Sequence, residues 1–170
     1  MNKILLTIIG LAAGLTALAQ GTVNVNNNFT PAGGSAKALI LGLDGSALGK
    51  ALGSVEILDA KGAVIKSGSL ATAGIFAFGV LEIPNAPIGG NGSIVIRAWD
   101  NSTGSSWDTA GVRGASIVTL TGLGGGATPP PSLGAAGNFT GLQLSVVPEP
   151  STVALAALGL AGLFFVARRK

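Results

Sequence analysis

Between two strongly apolar ends, the apolar residues of this chain recur at every second position, in short runs broken by Gly, Asn, Asp and Pro. A repeat of two is the repeat of a pleated strand, whose side chains point alternately to opposite faces. No interior stretch sustains the three-to-four spacing of an amphipathic helix. The interior must therefore be built from strands and turns. Val23 and Val25 alternate with Asn24 and Asn26. Leu39, Leu41 and Leu43 alternate with Ala38, Ile40 and Gly42, as in a strand covered on both faces. Val55-Glu56-Ile57-Leu58 and Ala63-Val64-Ile65-Lys66 flank Asp59-Ala60-Lys61-Gly62, a type I turn whose final glycine takes positive φ.

The next strand is expected over residues 75–83, with Phe76, Phe78 and Val80 on one face and Pro84 and Pro87 ending it. Ile94 to Trp99, Ile117 to Leu120, and Leu142, Leu144 and Val146 supply the others. Seven or eight short strands over residues 20–147 predict an all-β fold, a single antiparallel β-sandwich. The hairpin followed by Gly74-Ile75-Phe76-Ala77-Phe78 resembles the transthyretin-like and carboxypeptidase-regulatory-like modules, which implies the same sandwich class and no particular activity. Gly122 to Gly126 and Pro129-Pro130-Pro131 read as a long surface loop rather than a linker ending the domain, because the strand after them alternates well.

The two ends are targeting segments rather than parts of this fold. Lys3 precedes an apolar run over residues 4–18, which closes on Ala17-Leu18-Ala19 before Gln20. Small residues at positions 17 and 19 are what signal peptidase reads, so residues 1–19 are expected to be a cleaved signal peptide. A permanent anchor is the alternative, disfavoured because the run is short and lacks a second charge cluster. The mature chain then begins at Gln20.

At the other end, Pro148-Glu149-Pro150 precedes an apolar run over residues 151–167 and a terminal Arg168-Arg169-Lys170. Prolines on both sides of Glu149 hold the backbone extended, a form a processing enzyme can grip. Seventeen apolar-biased residues reach the lower limit for a spanning helix. Three cations after the run place the C-terminus in the cytoplasm, consistent with the signal peptide placing the domain outside. These residues resemble the PEP-CTERM sorting signal: a Pro-Glu-Pro box, a short transmembrane helix and a basic terminus. The resemblance implies recognition by an exosortase, removal of the helix and delivery beyond the inner membrane. It also implies association with exopolysaccharide or biofilm.

Charge narrows the partners. Residues 20–147 carry six cations and six anions, so the net charge of +3 resides in the ends. A neutral domain has no electrostatic footprint for nucleic acid. The chain has no cysteine and no histidine, which removes thiolate metal sites, disulfides and the usual catalytic triads. No enzyme, metal or cofactor is expected. Gly122-x-Gly124-x-x-Ala127 matches a dinucleotide fingerprint only on paper, since prolines follow where a helix should start.

Two functional surfaces are considered for the ectodomain. Trp99, Asp100, Asn101, Trp107 and Asp108 form a candidate glycan contact, because indoles stack on sugar rings while carboxylates and amides bond hydroxyls. The competing reading has the indoles covering an open end of the sandwich. The other surface would make the domain an adhesin-like module for a protein partner. Asn28-Phe29-Thr30 and Asn138-Phe139-Thr140 read as glycosylation sequons, and their repetition is better explained structurally.

Overall fold

A computed structural model of the chain describes residues 20–147, and these are all-β, with one short helical turn. Nine strands are formed: β1 (Gln20–Asn26), β2 (Ile40–Leu41), β3 (Gly53–Asp59), β4 (Val64–Ser69), β5 (Ala77–Pro87), β6 (Gly92–Asp100), β7 (Val112–Leu120), β8 (Leu142–Gln143) and β9 (Ser145–Val146). The turn, α1 (Leu133–Ala136), is capped by the Ser132 side chain. A five-stranded antiparallel sheet runs β4-β3-β6-β7-β9. Two further ladders, β1-β5 and β2-β8, supply the other side of one core, where Val23 and Val25 meet Val55, Ile57, Ile94 and Ile96.

The β3–β4 hairpin forms as its residues dictate. Asp59 Oδ1 accepts from the Lys61 and Ala63 amides at 2.9 and 2.8 Å, and Gly62 sits at φ +86°. An aspartate that bonds the amides two and four residues on holds the turn with little help from the rest of the fold.

Elsewhere the structure corrects the alternation pattern. The strand expected around Leu39, Leu41 and Leu43 is only two residues long. Ala38, Ile40 and Gly42 are the buried set, while Leu43 is 52 % exposed. The β2–β8 ladder is parallel, so the fold is not purely antiparallel. Phe76, just before β5, and Phe78 within it stack at 5.6 Å, but Val80 is 56 % exposed rather than beside them. Gly79 at φ +74° forms a bulge: Val25 pairs with Gly79 and Asn26 with Ala77, so one residue is skipped and the inward set changes from even to odd positions. Nor does Pro84 end the strand, which continues to Pro87 with Asn85 at φ 63°. The ladder holds β5 on one side only, and such an edge tolerates proline.

The glycine- and proline-rich segment is packed backbone. Thr22 and Gly124 exchange both amide hydrogen bonds at 2.9 Å, and the Asn24 N–H donates to Pro131 O at 2.8 Å. This segment closes the second edge of β1 and carries Leu123, which is completely buried. The last strand is split at Leu144. Leu142 and Gln143 pair with β2, Ser145 and Val146 pair with β7, and the buried Leu144 lies between them with its N–H on Leu41 O at 2.9 Å.

One buried amide joins three distant segments. Asn27 is completely buried; its Nδ2 donates to Ala38 O at 2.7 Å and Gly74 O at 2.8 Å, and its Oδ1 accepts from Phe76 N at 2.7 Å. Every donor and one acceptor lone pair of the amide is thereby used.

Candidate functional site

β6 ends at Asp100, and residues 101–111 lead back into β7. The polar groups of this loop are largely turned on one another. Asp100 Oδ1 accepts from the Ser102 amide at 2.8 Å and from its hydroxyl at 2.7 Å. The Thr103 hydroxyl donates to Asp100 O at 2.8 Å and accepts from Val112 N at 3.0 Å. Ser106 and Thr109 bond each other at 2.9 Å, and the Asn101 N–H donates to Leu52 O at 2.7 Å. Asp100 is thus a turn former, and Asp108 is exposed.

The two tryptophans have different fates. Trp99 is the penultimate residue of β6, within the strand expected over residues 94–99, and is only 6 % exposed. Its indole N–H has no hydrogen-bond partner among the described residues. Trp107 is half-buried and lies against two arginines, with the Arg97 and Arg113 guanidinium carbons 5.3 and 5.1 Å from its ring centroid. Arg113 also donates to the Trp107 carbonyl oxygen. Arg97 pairs with Glu56 on β3, its Nη2 2.6 Å and its Nε 2.7 Å from Oε2.

Register explains this assembly. Glu56 faces Arg97 and Trp99 faces Arg113, so all four stand on the outer face of the five-stranded sheet. Trp107 folds back over that face. The arrangement fixes the loop by stacking and charge; it leaves only Trp107, Asn101 and Asp108 of the glycan-contact set with any exposed surface beyond the Asp100 turn. Nothing in residues 55–57 signals that Glu56 belongs to the tryptophan cluster, because the contact spans 41 residues.

The two Asn-Phe-Thr repeats meet. Phe29, Phe139, Asn138 and Thr140 line one groove of about 240 Å³. Asn138 Oδ1 accepts from Thr119 N at 3.1 Å and Asn28 Oδ1 from Lys37 Nζ at 2.7 Å, so both asparagine side chains serve the fold. The first and last strands are not neighbours. Instead, the segment after β1 lies against the one entering β8, as the parallel β2–β8 pairing requires. Among the described residues no group of three His, Cys, Asp or Glu side chains is placed to hold a metal ion.

The chain leaves the sheet at β9. Val146 faces Val112, Ser145 faces Arg113, and the Val147 N–H donates to Gly111 O at 2.8 Å. Pro148, the first residue of the Pro-Glu-Pro box, follows at once in the sequence. From residue 146 to the end, residues 146–170 match the family model described as the PEP-CTERM protein-sorting motif. The chain carries a PEP-CTERM motif. No curated protein matches the chain.

The PEP-CTERM match takes in Pro148, Glu149, Pro150, Arg168, Arg169 and Lys170 in their expected order. It marks the protein as an exported substrate of exosortase sorting, processed at the membrane. The box, the expected helix over residues 151–167 and the basic end lie outside the described residues, as do Ala17 and Ala19. Among the described residues no helix is long and apolar enough to cross a membrane. Gln20, where the mature chain is expected to begin, is the first residue of β1 and pairs with Pro87.

Proposed function

We propose that this is an exported, non-catalytic envelope or matrix protein: a small two-layer β-sandwich, delivered with its C-terminal helix in the inner membrane and its terminal arginines in the cytoplasm. Signal peptidase removes residues 1–19. An exosortase then cuts within the neck, and the domain is released to the cell surface or an exopolysaccharide matrix. The PEP-CTERM motif at residues 146–170 carries this reading. The absence of histidine and cysteine supports a non-catalytic role, since the usual nucleophile–base pairs cannot be assembled from this chain. The test is mass spectrometry of the mature C-terminus in cells with and without the sorting enzyme. Loss of everything past residues 148–152 is expected only when the enzyme is present. Lys170 retained in both would overturn the reading.

A second reading, a surface module for a protein partner, is favoured by one observation. Val64, 51 % exposed, and Ile117, 73 % exposed, stand at the two ends of one row across four strands, with the buried Leu58 and the half-buried Val95 between them. An apolar row on an outer sheet face suits protein contact better than hydroxyl-rich sugar. A glycan array run against a pull-down with the same purified protein separates the two. Ile117→Asp should abolish capture of a protein partner and leave polysaccharide retention intact.

A further inference from the structure

The sorting signal and the folded sheet share residues. The motif match starts at residue 146, yet Val146 is paired with Val112 on β7 and Val147 is bonded to Gly111. A backbone amide cannot serve a β-ladder and an enzyme cleft at once, and the Val147 N–H is already held by Gly111 O. Space raises the same conflict. Only Pro148, Glu149 and Pro150 separate Val147 from the apolar run, at most roughly 14 Å of extended chain. With β9 docked, a membrane-embedded enzyme would have to seat the box directly beneath a folded domain.

We infer that β9 is a latch, released from β7 so that Ser145, Val146 and Val147 enter the extended-peptide cleft of the sorting enzyme together with the Pro-Glu-Pro box. This rests on the reading of the tail as an exosortase signal. The build of the segment fits release. β9 has two residues, both side chains are exposed, and Val146 is 62 % exposed. Neither residue belongs to the core, whereas Leu144, immediately before them, is buried at 2 %. Opening therefore stops at Leu144, leaves the domain folded, and lengthens the neck by about 10 Å. The freed strand exchanges one backbone partner for another, with the enzyme cleft taking the place of β7.

The chain has no cysteine, so one engineered disulfide can hold the latch shut without competing thiols. Val112 and Val146 are directly opposed, and the Val147–Gly111 bond makes theirs the close, non-hydrogen-bonded type of antiparallel pair, within disulfide range. The experiment takes the full-length precursor carrying Val112→Cys and Val146→Cys, in membranes containing the sorting enzyme, before and after reduction. The oxidised form should be cut more slowly by on the order of tenfold or more, because cleavage follows the population of the open segment. Reduction of the same molecules should restore cutting. Ser145→Pro, upstream of the matched residues, weakens the ladder and should speed cutting of an otherwise unaltered signal. Equal rates for the oxidised and reduced forms, or no gain with Ser145→Pro, would overturn the latch while leaving the sorting signal intact. A wild-type precursor that the enzyme does not cut would overturn the reading of the tail, and the latch with it.

Discussion

Asn27 and Asp59 are the two buried polar side chains among the described residues, and they solve one problem at different ranges. Each satisfies backbone groups where strands end and the ladder can no longer do so. Asp59 reaches amides two and four residues away, whereas Asn27 reaches carbonyls 11 and 47 residues away and an amide 49 away. The Asp59 turn can form whenever the hairpin does. The Asn27 junction exists only once β1, the segment before β2 and the turn before β5 have converged. Local closure resists damage because its orphaned groups can turn to nearby water. Long-range closure does not, because its partners are sealed inside.

Asn27→Leu should therefore have the largest effect, about 4 kcal/mol of stability, since it leaves the Ala38 carbonyl and the Phe76 amide buried without partners, while Gly74 O keeps the Ile40 N–H. Urea unfolding of the purified protein measures it. A loss below about 1 kcal/mol would mean that water enters the junction and that the contrast with Asp59 is false. Leu144→Ala comes next, at about 3 kcal/mol, as the buried side chain between β8 and β9 is truncated. Val146→Ala, two residues on, should stay within about 0.5 kcal/mol. Together they locate the end of the cooperative fold at Leu144. Similar losses at both positions would make β9 part of the core and would sharpen the comparison against it.

What the sequence disclosed follows the same division by range. The hairpin was legible because Asp59, Lys61, Gly62 and Ala63 are contiguous. The sorting tail was legible because its box, apolar run and basic end are contiguous too. β6 was legible because its apolar run is contiguous, as suits a strand with neighbours on both sides. The bulge at Gly79 was not, because the alternation on either side of it looks continuous until the register with β1 is known. Leu39, Leu41 and Leu43 misled because both faces were expected to be covered, whereas the fold fully covers only the face of Ala38, Ile40 and Gly42. The glycine- and proline-rich segment hid its role because its bonds to β1 are made by backbone, which leaves no pattern in side chains. Trp107 carried no sign of its arginines, which arrive from β6 and β7 through pairing alone.

Asp59→Ala should cost about 1 kcal/mol, because the Lys61 and Ala63 amides it frees lie at an exposed turn. Backbone hydrogen exchange should accelerate at Lys61 and Ala63 and stay unchanged across β6. Acceleration spreading into β6 would show that the turn is not the self-contained unit its bonds describe.

Asp44 carries local closure to its weakest limit. Its carboxylate accepts the Ser46 hydroxyl at 2.7 and 2.9 Å and the Ser46 amide at 3.0 Å, all in an exposed turn. The hydroxyl first, then the amide, stabilises the charged form and lowers its pKa below that of an ordinary aspartate. A carboxyl depressed on folding contributes stability above its unfolded pKa and loses it as pH falls through the folded value. The loss therefore belongs to the acid side of the ordinary aspartate range, and in open solvent it is small. An NMR titration of the Asp44 carboxyl carbon should place its midpoint below that of a free aspartate, and Ser46→Ala should move it up. A wild-type midpoint at the ordinary value would show that the turn opens freely in water. The polar closures would then be ordered by burial, from Asn27 through Asp59 to Asp44, with sequence separation only following from it.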